Sequence, residues 1–187
     1  MTANLHFTLN GVPTTAAAKP GQRLSDLLRE EIGQRDVKVG CDAGDCGACS
    51  VLLDGSVVCA CLTLAQRING CEVETSIGAS ERLKASFHHH GAAQCGICTP
   101  GMLVTATALL SSNPEPTRGE IEDALGGVLC RCTGYSKIVD AIFDNRTTAP
   151  SKLPAIGAAV GSRMERVDGK PKINGTECFG ADAWPSG

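Results

Sequence analysis

Apolar positions recur every second residue early in the chain and every three to four residues further on, so a sheet region followed by a helical region is expected. Leu5, Phe7 and Leu9 alternate with polar neighbours up to Asn10-Gly11, a dipeptide that tolerates the positive φ of a two-residue hairpin turn. The chain then resumes as a strand at Val12. S-V-L-L-D-G-S-V-V-C-A-C-L reads as a second hairpin, turning at Asp54-Gly55. Between the hairpins Ser25-Asp26 is placed to cap a helix reaching about Ile32, and Gly33 to end it in the left-handed conformation. A small mixed sheet with one helix follows.

From Ser80 onward the helical period takes over. Leu83 and Phe87 share a face of a first helix, and Met102, Leu103, Ala106, Leu109 and Leu110 form the stripe of a second. A third carries Ile121, Ala124, Leu125, Val128 and Leu129 behind a capping box from Thr117 to Glu120. Ile138, Val139, Ile142 and Phe143 mark a fourth. Short connections between four striped helices predict a compact bundle. After about Asn145 the pattern fails: T-T-A-P-S-K-L-P-A-I-G-A-A-V-G-S is small, prolyl and glycyl, as expected of a linker or of a segment lying across a partner surface.

Composition narrows the chemistry. A net charge of -3 and a pI near 5.8 provide no basic field for nucleic acid or an anionic membrane. The longest apolar run, over residues 102–110, holds two threonines and falls well short of the ~18 residues of a membrane helix. The start, M-T-A-N-L-H-F-T-L-N, has neither the basic nor the apolar region of a secretory signal, so a reducing cytoplasm is expected. There the 11 clustered cysteines favour metal over disulfides.

Cys41, Cys46 and Cys49 stand in a C-x4-C-x2-C array, and Cys61 is expected on the return strand of the Asp54-Gly55 hairpin. This is the plant-type 2Fe-2S pattern. Four thiolates must converge on two irons while backbone N–H groups point at sulfur; Gly40, Gly44 and Gly47 are expected to supply positive φ and close approach. Zinc is the weaker reading, since it calls for paired C-x2-4-C knuckles without such glycine density. A second set comprises Cys95 and Cys98 in Q-C-G-I-C-T-P-G, and Cys130 and Cys132 in L-C-R-C-T-G-Y. Each pair precedes a helix, with Thr99 expected to cap and Pro100 to open one, and helix N-termini favour negative charge. Alone, C-x2-C with C-x-C equally suits zinc or a redox dithiol.

Taken together, V-G-C-D-A-G-D-C-G-A-C-S-V-L-L-D-G, Cys61-Leu62, A-Q-C-G-I-C-T-P-G-M and L-C-R-C-T-G-Y resemble the small iron-sulfur subunit, or equivalent N-terminal region, of the molybdenum hydroxylases. That group includes xanthine dehydrogenase, aldehyde oxidoreductase and carbon monoxide dehydrogenase. The resemblance implies an α+β chain: a β-grasp, plant-type ferredoxin-like domain over 1–78, a four-helix-bundle 2Fe-2S domain over 79–147, and an extended arm over 148–187. It implies two 2Fe-2S clusters, one on Cys41, Cys46, Cys49 and Cys61, the other on Cys95, Cys98, Cys130 and Cys132. The second would lie beside a molybdenum-pterin, of the pterin cytosine dinucleotide type, held by a large partner subunit, with Gln94 touching the pterin and Cys132 on the path to the cluster. The first would face FAD on a medium subunit. The chain would then pass single electrons from molybdenum toward flavin or another acceptor during water-dependent hydroxylation of an N-heterocycle, aldehyde or similar small substrate, with no substrate chemistry of its own. A free-standing two-cluster ferredoxin and a zinc-stabilised interaction module are the competing readings.

Other residues have plainer expectations. His88, His89 and His90 suit a helix C-terminus and solvent, and Cys59 a small buried thiol on the strand face of Cys61. Cys71 and Cys178 read as free thiols, and Asp42 and Asp45 as solvated loop charges. R-V-D-G-K-P-K-I-N-G-T-E-C-F-G-A-D resembles the opening of the molybdenum subunit of the same family. It is expected either to mark a larger polypeptide split at this point or to be an arm buried at an interface with a partner; Ile173, Phe179 and Trp184, which need cover, favour the arm.

Overall fold

The structure, a computed structural model, describes residues 2–145, 153–162 and 164–183. Strands β1 (Ala3–Leu9) and β2 (Val12–Ala18) form the first hairpin, with Asn10 and Gly11 both at positive φ as a two-residue turn demands. β3 (Ser50–Leu53) and β4 (Ser56–Cys59) form the second, turning through Asp54 and Gly55 in the same conformation. β5 (Glu72–Glu74) joins the two, parallel to β1 and antiparallel to β3, which completes a five-stranded mixed sheet of order β2-β1-β5-β3-β4.

The helix packed on this sheet differs from expectation. It opens at Leu24, after Arg23, as α1 (Leu24–Asp26) and continues as a wider π-helical turn, Leu27–Glu31. Ser25 does not cap it. Its N–H donates to the carbonyl of Ala60 at 3.1 Å and its hydroxyl lies 3.4 Å from Asp26 Oδ1, so the residue is buried inside the helix and tied to the loop after β4. Gly33 does stop the segment, at φ +83°. Leu24, Leu27 and Leu28 fill one core with Leu5, Phe7, Leu9, Val51 and Val73.

A second core lies among α2 (Glu81–His90), α3 (Thr99–Ser112), α4 (Arg118–Leu125) and α5 (Tyr135–Phe143). Ser80 caps α2 by accepting from the Leu83 N–H, and Gly91 ends it left-handed. The Thr117–Glu120 capping box is complete. Two expected details fail here. Cys98 occupies the N-cap position of α3 while Thr99 is the first helical residue, its hydroxyl buried. The α4 stripe stops at Leu125; Val128 is buried from a loop, and Leu129 is exposed because its N–H is spent on the carbonyl of Cys46 at 2.9 Å.

The arm packs on its own chain. Ile173, in α6 (Gly169–Ile173), is 2 % exposed within the helical core, and Phe179 lies with its ring under Lys38 Nζ at 4.5 Å. Asp182 fixes the end, accepting from Arg29 Nη2 at 2.7 Å and Lys38 Nζ at 3.0 Å, while its carbonyl accepts from Arg35 Nη1 at 2.6 Å. The expectation that a partner must cover Ile173 and Phe179 is therefore corrected: sheet region and helical region cover them jointly. Trp184 lies outside the described residues.

Candidate metal centre

The loop between Val37 and β3 is shaped by what its glycines permit. Gly44 and Gly47 have φ of +83° and +66°. Gly40 does not adopt positive φ and works by close approach alone, since a Cβ there would stand 2.9 Å from Cys46 Sγ. Asp42 takes the left-handed conformation in its place, at φ +57°, and pairs with Arg23 rather than being merely solvated. The folded loop aims backbone N–H groups at sulfur: Ala43 and Cys46 at Cys41 Sγ (3.4 and 3.3 Å), and Cys61 at Cys49 Sγ (3.5 Å). Cys61 sits in the turn after β4, not on the strand, since β4 ends at Cys59. Cys59 points its thiol at the Gly44 carbonyl at 3.7 Å and is half-buried.

The second set forms where helix termini meet. Cys95 and Cys98 lead into α3, and Cys130 and Cys132 into α5. Tyr135 braces the latter pair, its hydroxyl accepting from the Cys130 N–H at 2.7 Å and donating to the Val128 carbonyl at 3.2 Å. Thr133, at φ +56°, lets the chain double back between Cys132 and α5. Gln94, exposed, lays its amide over Gly134, where a Cβ would meet Nε2 at 3.0 Å.

In the first set Cys41 and Cys46 stand outermost while Cys49 and Cys61 are buried, and in the second Cys95 and Cys132 stand outermost while Cys98 and Cys130 are buried. N–H groups of Ala43 and Cys46 lower the exposed Cys41 thiol to about 7, whereas burial raises Cys49 to about 12 and drives Cys98 upward as well. Among the described residues no three His, Cys, Asp or Glu side chains close round a single ion. Four thiols to a set match the donor set of a 2Fe-2S cluster, with two thiolates for each iron. The glycine cradle and the N–H groups directed at sulfur fit the same group.

Contact between the two regions is made by backbone. A Cβ on Gly47 would collide with the Gly127 carbonyl, and one on Gly101, in the first turn of α3, with the carbonyl of Gly47. Sequence reading missed this contact and the Leu129–Cys46 hydrogen bond, although G-G-V-L ahead of Cys130 carried a signal in its paired glycines. It also placed His88 toward solvent. His88 is buried, with Nε2 3.1 Å from the Arg166 carbonyl and Nδ1 3.2 Å from Glu165.

A mixed sheet whose loop gathers four thiols, joined to helices gathering four more, defines an iron-sulfur protein of the 2Fe-2S class. The 2Fe-2S iron-sulfur cluster binding domain matches residues 7–76 and the [2Fe-2S] binding domain residues 68–143. The xanthine dehydrogenase iron-sulfur-binding subunit of Escherichia coli O157:H7 is 44% identical over 154 residues, covering 79% of this chain and 96% of that one. The aldehyde oxidoreductase of Megalodesulfovibrio gigas is 40% identical over 193 residues, covering 94% of this chain and 21% of its own length. A solved structure of aldehyde oxidoreductase from Desulfovibrio gigas superposes with a TM-score of 0.89 at 38% identity, covering 96% of this chain; the chain spans 22% of it. The chain belongs to the small 2Fe-2S subunits of the molybdenum hydroxylase family.

Proposed function

We propose that this chain is the electron-transfer subunit of a molybdenum hydroxylase, accepting electrons from a molybdenum-pterin centre on a large partner subunit and passing them toward FAD on a medium subunit or another acceptor. The observation that carries it is the two sets of four thiols, each with two toward the surface and two inside. When bound, a 2Fe-2S cluster supplies one-electron redox chemistry. Cys41, Cys46, Cys49 and Cys61 would hold one, and Cys95, Cys98, Cys130 and Cys132 the other. The protein's part is to fix the thiols, exclude water from the inner pairs and direct N–H groups at sulfur, which sets potential without touching substrate. Gln94, exposed just before Cys95, is the proposed pterin contact.

The reading predicts a coloured protein with acid-labile sulfide and two distinguishable EPR signals on reduction. Cys41→Ser removes one and Cys130→Ser the other; loss of both or neither in a folded variant defeats the two-site assignment. A colourless, zinc-bearing chain free of sulfide defeats iron-sulfur altogether. Purification from native cells as a lone monomer, without a molybdenum- or flavin-containing partner, favours the free-standing ferredoxin instead.

A further inference from the structure

The part of the molecule that the functional reading leaves without a task is the arm, and it carries charge to the second cysteine set. Lys172 is 9 % exposed, and its stem rests on Gly96, where a Cβ would stand 2.9 Å from Lys172 Cγ. Gly96 directly follows Cys95, and its φ of +96° opens the loop to that side. Asp168 gathers two cations: Arg166 donates to both carboxylate oxygens through Nε and Nη2, and Lys172 donates to Oδ2 from one helical turn on. Arg166 is fixed from the other side as well, because its carbonyl accepts from the ring of His88. Its side chain lines the same cleft as Gln94, the residue before Cys95. Asp168 thus holds two cations beside the loop that carries Cys95, while the neighbouring carboxylate, Glu165, is engaged by His88 Nδ1 at 3.2 Å.

We infer that Arg166 and Lys172, held in place by Asp168, are positioning cations that raise the reduction potential of the cluster on Cys95, Cys98, Cys130 and Cys132, without acting on the one held by the first set. This rests on the functional reading above. Adding an electron to a thiolate-bound cluster adds negative charge, and a fixed cation nearby favours the reduced form by direct Coulomb attraction. Lys172 packs on Gly96, the residue after Cys95, and Asp168 ties Arg166 to Lys172. The first set has a cation of its own, Arg23, paired with Asp42. Each centre thus has a separate electrostatic neighbour, and the second centre receives its neighbour from the far end of the chain rather than from its own helices.

The test is a redox titration of the full-length protein as isolated, following both EPR signals together. The first-set signal is an internal reference. Arg166→Gln, at a half-exposed side chain outside both cores, should lower the second midpoint several-fold in reduced-to-oxidised ratio at fixed potential while the first stays put. Arg166→Lys should restore most of the wild-type value, since it keeps the charge. Two intact signals that do not move in Arg166→Gln, or that move together, overturn the inference alone. An Arg166→Lys protein indistinguishable from Arg166→Gln overturns it too, because packing rather than charge would then be responsible. A wild-type protein without the second signal overturns both the inference and the functional reading.

Discussion

Cys41, Cys46, Cys49 and Cys61 come from one glycine-rich loop and the hairpin that follows it, whereas α3 and α4 separate Cys95 and Cys98 from Cys130 and Cys132. The first set is shaped by local backbone conformation: positive φ at Asp42, Gly44 and Gly47, and the turn after β4. The second is shaped by tertiary packing, because its halves meet only where the N-termini of α3 and α5 converge over one apolar core. A site made by a loop can survive loosening of distant packing. A site made by helix termini inherits the stability of every helix that positions them.

The largest effect that would sharpen this contrast is Phe87→Ala. Phe87 is fully buried at the centre of the helical core, and its removal should cost roughly 3–5 kcal/mol. Thermal or denaturant unfolding followed by both EPR signals should show the second lost ahead of the first; simultaneous loss would make the two sites one cooperative unit. Gly47→Ala acts on the contact between regions. It combines a left-handed non-glycine residue with a clash against the Gly127 carbonyl, and should cost about 2–4 kcal/mol, weakening both signals because the residue belongs to the first loop and supports the second.

Acid tests the arm. Burial opposes ionisation of Asp182, but hydrogen bonds from Arg29, Lys38 and the Phe179 N–H prevail and hold it at about 2, below the ordinary 3.8. Because the folded value is depressed, this stabilisation is complete above the ordinary aspartate range and is lost as the pH falls from about 4 toward 2. The difference corresponds to about 2 kcal/mol, and Asp182→Asn should flatten that limb of the stability–pH curve. The smallest expected effect is Thr117→Ala, which removes the side-chain cap of α4 and should cost about 1 kcal/mol, lowering the midpoint of the helical region without changing either signal in the native state.

What could be read in advance follows the same division. Both hairpin turns and the capping box are stated by neighbouring residues, so alternation and spacing sufficed. Ser25 failed as a cap because the helix opens one residue earlier, at Leu24, and takes Ser25 inside it, where its N–H meets the carbonyl of Ala60 far along the chain. Leu129 read as a stripe residue because periodicity does not know that its N–H turns to Cys46. The grouping of Cys95 and Cys98 with Cys130 and Cys132 was legible only through family resemblance, since C-x2-C and C-x-C fix no mutual distance. Asp182, Arg29 and Lys38 gave no signal at all: three ordinary surface-type residues become a buried cluster only once the arm has crossed both regions.

That crossing separates chain continuity from structural membership. Leu153, Ile156 and Val160 lie open to solvent between the helices and the arm, while Ile173 and Asp182 beyond them are buried. A peptide bond cut in this open stretch would therefore leave two fragments that still behave as one molecule: the shorter piece, gripped through Ile173 in one core and Asp182 at the edge of the other, should co-elute with the larger under native conditions and part from it only on denaturation.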